Sequence, residues 1–166
     1  MSTLPERIPP GPGQESVWDY PRPPRIEQVR TALRVTFGGQ VIAETRRAIK
    51  YMETSHPPVY YFPPDDVHLE LLSRSPKTSV CEYKGIARYY SVRVGSKTAP
   101  DAVWGYPEPK SPYLALAGFL AFYPQAMDEC TVDGETVGAQ GGSFYGGWIT
   151  KRIVGPFKGG PGTIDW

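Results

Sequence analysis

The chain has 166 residues and a net charge of +1, from 18 Lys and Arg against 17 Asp and Glu. That length suits one domain able to bury a core without staples, and the balanced charge argues against a dedicated nucleic-acid binder, which needs a basic excess. The longest apolar run, Tyr113 to Tyr123, falls well short of the roughly 20 residues of a membrane span, and Pro5, Pro9 and Pro10 stand where a signal peptide would carry its apolar stretch; the expectation is a globular, cytoplasmic protein with no membrane partner.

In chain order, residues 1–25 form a proline-rich arm, with Pro5, Pro9, Pro10, Pro12, Pro21, Pro23 and Pro24. Such a stretch runs neither as helix nor as central strand, so it is expected to be extended and pinned to the body by Trp18 and Tyr20. Residues 26–137 form the core domain. Arg34-Val35-Thr36-Phe37, Gly38-Gly39 and Gln40-Val41-Ile42-Ala43 read as a hairpin, because paired glycines supply the positive φ of a tight primed turn. Leu33, Val35, Phe37 and Ile42 then share a face. Further strands are expected at Arg47 to Met52, Val59 to Phe62, Ile86 to Val94, Ala102 to Tyr106, Phe119 to Tyr123 and Cys130 to Val132. Pro64 followed by acids suits a single helical turn over Asp65 to Leu72, capped by one of the two aspartates. Residues 138–166 combine many glycines with Phe144, Tyr145, Trp148, Phe157 and Trp166. Flexible linkers lack such an aromatic load, so this segment is expected to be an ordered wrap. The fold class is mainly β, with short helical turns only.

The chemistry-bearing segment is Cys81-Glu82-Tyr83-Lys84-Gly85-Ile86-Ala87-Arg88-Tyr89-Tyr90. A thiol three residues from an ammonium suits a nucleophile, and Lys84 suits an anionic ligand. As plain packing, Cys81 is a small apolar residue and Lys84 a solvated one. Alternation puts Arg88 on a face with Ile86, Tyr90 and Val92. A guanidinium on an apolar face needs a carboxylate or a ligand: either an ion pair with Asp65, Asp66 or Glu70, or a cleft that accepts a carboxylate or phosphate. His56 reads as a loop histidine, and His68 and Glu70 as a solvent-facing edge. With two cysteines, two histidines and no Cys-x-x-Cys, neither a disulfide framework nor structural zinc is expected, and no cofactor is implied. Aromatic residues make up 13% of the chain. Trp104-Gly105-Tyr106-Pro107 and Phe144-Tyr145-Gly146-Gly147-Trp148 join rings to bare backbone, which suits a slot for a flat ligand as well as core packing. Gly155 to Thr163 is not a phosphate loop, because Pro156 and Pro161 oppose that strand–loop–helix geometry.

On these residues the chain resembles the domain-of-unknown-function 427 family. The resemblance rests on Ser16 to Pro21, Ser55 to Val67, Cys81 to Tyr90, Trp104 to Pro107, Ala121 to Pro124, and Phe144 to Trp148 with Val154 to Thr163. It implies a β-tent fold of curved antiparallel sheets. Some β-tent relatives hold zinc on paired Cys-x-x-Cys knuckles, which this chain lacks. The family also carries the label "nucleotidyltransferase-like" in some catalogues, but the chain shows no Gly-Ser followed by paired acids.

Three functions are weighed. The first is a module binding a small anionic or aromatic molecule, held by Trp104, Tyr60, Tyr90 and Trp148 with Lys84 and Arg88 as charge partners; it requires these side chains to converge on one hollow. The second is an enzyme using Cys81 as nucleophile or redox thiol. The third is a structural protein whose arm and tail build a homodimer.

Overall fold

The computed structural model describes residues 4–166. Its strands are β1 (Glu15–Ser16), β2 (Arg25–Gln28), β3 (Leu33–Phe37), β4 (Gln40–Thr45), β5 (Ile49–Met52), β6 (Val59–Tyr61), β7 (Leu72–Cys81), β8 (Gly85–Val94), β9 (Lys97–Gly105), β10 (Leu120–Phe122), β11 (Glu129–Val132), β12 (Glu135–Thr136), β13 (Gly138–Ala139), β14 (Trp148–Ile149) and β15 (Ile153–Val154). Helical structure is confined to three-residue 3₁₀ turns. The protein is therefore mainly β, and among the described residues no helix is long and apolar enough to cross a membrane.

Three antiparallel sheets carry the fold, in the orders β10-β9-β8-β7, β12-β11-β3-β4 and β2-β5-β6. Gly38 and Gly39, at φ 61° and 76°, make the β3–β4 turn. Leu33, Val35, Phe37 and Ile42 are buried together, as their period-2 spacing requires. The acidic stretch after Pro64 forms two 3₁₀ turns, Pro64–Asp66 and Leu69–Leu71, rather than one. Neither aspartate caps: Asp66 instead accepts from Thr45 and Arg47.

Strand β7 lies at a sheet edge and was not visible as a strand in the sequence. Its residues Leu-Ser-Arg-Ser-Pro-Lys-Thr-Ser-Val-Cys are mostly exposed, so no hydrophobic alternation marks it. Pro76 is tolerated because an edge strand leaves one row of N–H groups unpaired, and the pairing with β8 is irregular between Arg74 and Thr78.

Strands β6 and β10 and residues 102–105 of β9 are enclosed on both faces, and their side chains alternate between two cores. Tyr60, Val103, Leu120 and Phe122 join the larger core with Trp148. Tyr61, Trp104 and Ala121 join a second core with Tyr51, Tyr89, Tyr106, Tyr113 and Tyr123. A third cluster holds the arm: Trp18 and Tyr20 are buried beside Met52 and Ile153. The Trp18 indole donates to the Pro156 carbonyl at 2.8 Å, and β1 pairs in parallel with β15. Arm and C-terminal wrap thus hold each other.

Candidate functional site

The tyrosine-rich core is not closed. A cavity of about 260 Å³ opens into it, bounded by Tyr51 on β5, Tyr61 on β6, Cys81 on β7, Tyr89 on β8, Trp104 on β9 and the turn that ends in Lys84. Tyr106, Tyr123, Glu53 and His56 add to the wall, and Gln140, Phe144 to Gly146 and Lys158 reach it from the wrap.

Lys84 sits in the β7–β8 turn, where a lysine normally points to water. Here the turn is clamped from outside: the Lys110 N–H donates to the Lys84 carbonyl at 2.9 Å, and the Lys110 ammonium donates to the Glu82 carbonyl at 2.7 Å. The Lys84 side chain folds inward and is only 6% exposed. Its Nζ lies 3.6 Å from the Tyr51 ring centroid, 5.2 Å from Tyr106 and 5.9 Å from Tyr61. Among the described residues no carboxylate comes within the 4.0 Å of an ion pair with it. Burial drives its pKa below the usual lysine value; Cys81 and the more distant Glu53 pull the other way without overcoming that. Ring faces attract the cation but do not replace its water.

The surrounding phenols stay protonated, since burial raises Tyr51, Tyr61 and Tyr106 far above the ordinary tyrosine range. The Tyr51 and Tyr61 hydroxyls are buried without a partner of regular hydrogen-bond geometry, a condition native proteins rarely tolerate without reason. Trp104 stacks at 4.4 Å on Tyr123. Gly146 lies directly on the indole, where a Cβ would collide with the ring. At the rim, Arg22 donates to Glu53 at 3.1 Å, and Glu53 lies 3.5 Å from His56, whose Nδ1 meets the Gln140 amide at 3.1 Å. Burial alone would raise the Glu53 carboxyl, but His56 and Arg22 outweigh it and hold it below the usual range.

Of the residues singled out from sequence, the cavity brings together Cys81, Lys84 and Trp104, with Tyr106 and Phe144 to Gly146 from the two aromatic segments. Tyr60, Tyr90, Arg88 and Trp148 lie elsewhere. Trp148 is fully buried, its indole donating to the Phe122 carbonyl at 3.1 Å and its ring 5.5 Å from Tyr60. Tyr90 lines a shallow groove with Leu72, Arg74 and Leu120 on the other side of the sheet. Arg88 is half-buried and makes no ion pair with Asp65, Asp66 or Glu70.

The expected alternation of β8 holds for Tyr90, Val92 and Val94 and is corrected at Ile86, which is not buried. Ala87 and Tyr89 face the tyrosine core, whereas Ile86 is 57% exposed. Across the irregular pairing with β9 between Tyr90 and Val92 the phase is kept, and Tyr90, Val92 and Val94 all pack against the larger core. Sequence reasoning missed Tyr51, Tyr61, Tyr89 and the Glu53–His56 pair. Only the i, i+3 spacing of that pair was a visible signal. Among the described residues no three His, Cys, Asp or Glu side chains group as a metal site would require.

An all-β domain with an aromatic cavity over a buried lysine is the class of protein these features define. A family model matches residues 25–133, well over half of the chain, and the chain belongs to that family, described as a domain of unknown function (DUF427). No curated protein matches the chain. The matched stretch holds β2 to β11 and most of the cavity wall; Gln140, the Phe144 to Gly146 strap and Lys158 come from beyond it.

Proposed function

We propose that the protein binds a small planar molecule, aromatic or conjugated and bearing an anionic or other hydrogen-bond-accepting group, in the cavity over Lys84. The observation that carries this reading is a buried ammonium with no carboxylate partner at the wall of an open cavity. An isolated buried charge is costly, and an acceptor supplied by a ligand would offset that cost. The ring faces of Trp104, Tyr61 and Tyr106 suit a flat ligand. Size supports the same class: a cavity of about 150 Å³ admits benzene, whereas pockets for drug-sized ligands begin at about 300 Å³. One ring with a few substituents matches 260 Å³.

The test is calorimetric titration with 4-hydroxybenzoate and 4-hydroxybenzaldehyde, with thermal shift as a second readout. Binding is expected in the wild-type protein and in Arg88→Ala, and at least tenfold weaker, about 1.4 kcal/mol, in Lys84→Met. Equal affinity in Lys84→Met would place the ligand away from the lysine and overturn the reading. Thiol chemistry at Cys81 has one observation in its favour: the half-buried thiol shares the cavity with Lys84. Native Cys81 resistant to iodoacetamide would remove it.

A further inference from the structure

Resting on that reading, we propose that the ligand is an aromatic or conjugated aldehyde or ketone and that Lys84 Nζ condenses with its carbonyl carbon to form an imine. Three features single this amine out. It is buried among three rings with an open cavity beside it. It has no carboxylate to hold it as a permanent ammonium, whereas Lys50 and Lys97 face Glu15 and Asp128, and Lys110 and Lys158 donate to the Glu82 and Trp166 carbonyls. Lys77 and Lys151 are exposed. The desolvation that depresses the Lys84 pKa enlarges the neutral, nucleophilic fraction at neutral pH.

The step balances without an oxidant or cofactor. The amine lone pair forms the C–N bond as the carbonyl π pair moves to oxygen. One nitrogen proton passes to that oxygen, giving a carbinolamine. The hydroxyl then leaves with the second nitrogen proton as water, and C=N remains. Two groups on the same wall suit the proton traffic: the Cys81 thiol, and the His56–Glu53 pair. The Tyr51 hydroxyl, buried without a partner beside the ring that Nζ touches, is an unspent donor for the carbonyl oxygen. A protonated imine keeps positive charge where the ammonium sits, so the ring faces that attract one attract the other.

The full chain is incubated at pH 7 with 4-hydroxybenzaldehyde or benzaldehyde, reduced with borohydride, and read by intact mass and peptide mapping. A single reduced adduct on Lys84 is expected, at least about tenfold above any surface lysine, because its amine faces the cavity and its lowered pKa enlarges the neutral fraction. Lys84→Met, verified as folded by circular dichroism, should lose that adduct and keep the surface background. Adducts spread evenly over surface lysines, or none, overturn the proposal. If 4-hydroxybenzoate still binds in that case, Lys84 anchors a ligand without reacting and the binding reading survives. If neither acid nor aldehyde binds, both readings fall.

Discussion

Lys84→Met should make the protein more stable while disabling the cavity. Methionine has nearly the length of lysine and fills irregular apolar space, so the exchange removes charge with little change of shape. The lost attraction is the cation over the Tyr51 ring at 3.6 Å, about 2 kcal/mol when desolvated. The gain is relief from burying an ion that lacks a carboxylate partner, which costs several kcal/mol. The difference is a net stabilisation of about 1–3 kcal/mol, raising the melting temperature of a chain this size by about 3–10 °C.

The effect carries a pH signature. The folded pKa of Lys84 lies below its unfolded value near 10.5. Between those values the unfolded chain holds a proton that the folded chain lacks, so wild-type stability rises with pH through that window. Lys84→Met has no such slope, and its advantage shrinks as pH approaches 10.5. Calorimetric melts of both proteins from pH 6 to 10 measure this directly. A variant less stable than wild type by more than about 1 kcal/mol at pH 7, still unfolding cooperatively, or a difference flat with pH, would show that the rings hold the ammonium at a profit and refute the reasoning.

Three further outcomes are expected. Trp148→Ala removes a fully buried indole and its bond to the Phe122 carbonyl, so urea titration should show a loss of about 3–5 kcal/mol. Gly146→Ala forces a methyl into the Trp104 ring; overpacking costs about 1–3 kcal/mol, and Trp104 fluorescence with ligand titration should report a shifted strap and weaker binding, whereas unchanged affinity would mean the strap is no part of the site. Tyr60 is pushed up to about 12, by burial first and then by the Glu15 charge. Its folded pKa exceeds the unfolded value near 10, so its contribution is whole below pH 10 and lost as pH rises towards 12; chemical-denaturation midpoints should fall over that range, and less steeply in Tyr60→Phe.

Much of the scaffold was legible because local chemistry decides it. Paired glycines dictate the β3–β4 turn, prolines keep the described part of the N-terminal arm out of central strand and of any helix beyond the 3₁₀ turn Val17–Asp19, and aromatic anchors tie arm and wrap together. The long strand β7 was not legible: an exposed edge strand buries too little to impose a pattern on its sequence.

The site shows the limit most clearly. Tyr60 and Tyr61 are adjacent, as are Tyr89 and Tyr90, and composition cannot choose between neighbours. Period 2 sends each to the opposite face of its strand, and only the packing of one sheet on another reveals which face meets the cavity: Tyr61 and Tyr89, not Tyr60 and Tyr90. Sequence alone determined that this is a mainly β protein, because residue type and spacing carry that information, and it nominated Cys81, Lys84 and Trp104 on the same footing as Arg88, Tyr60, Tyr90 and Trp148. Tertiary structure alone decided that Lys84 is buried beside an open cavity while Arg88 and Trp148 stand away from it, because burial depends on which distant segments fold over a side chain, and no local pattern encodes that.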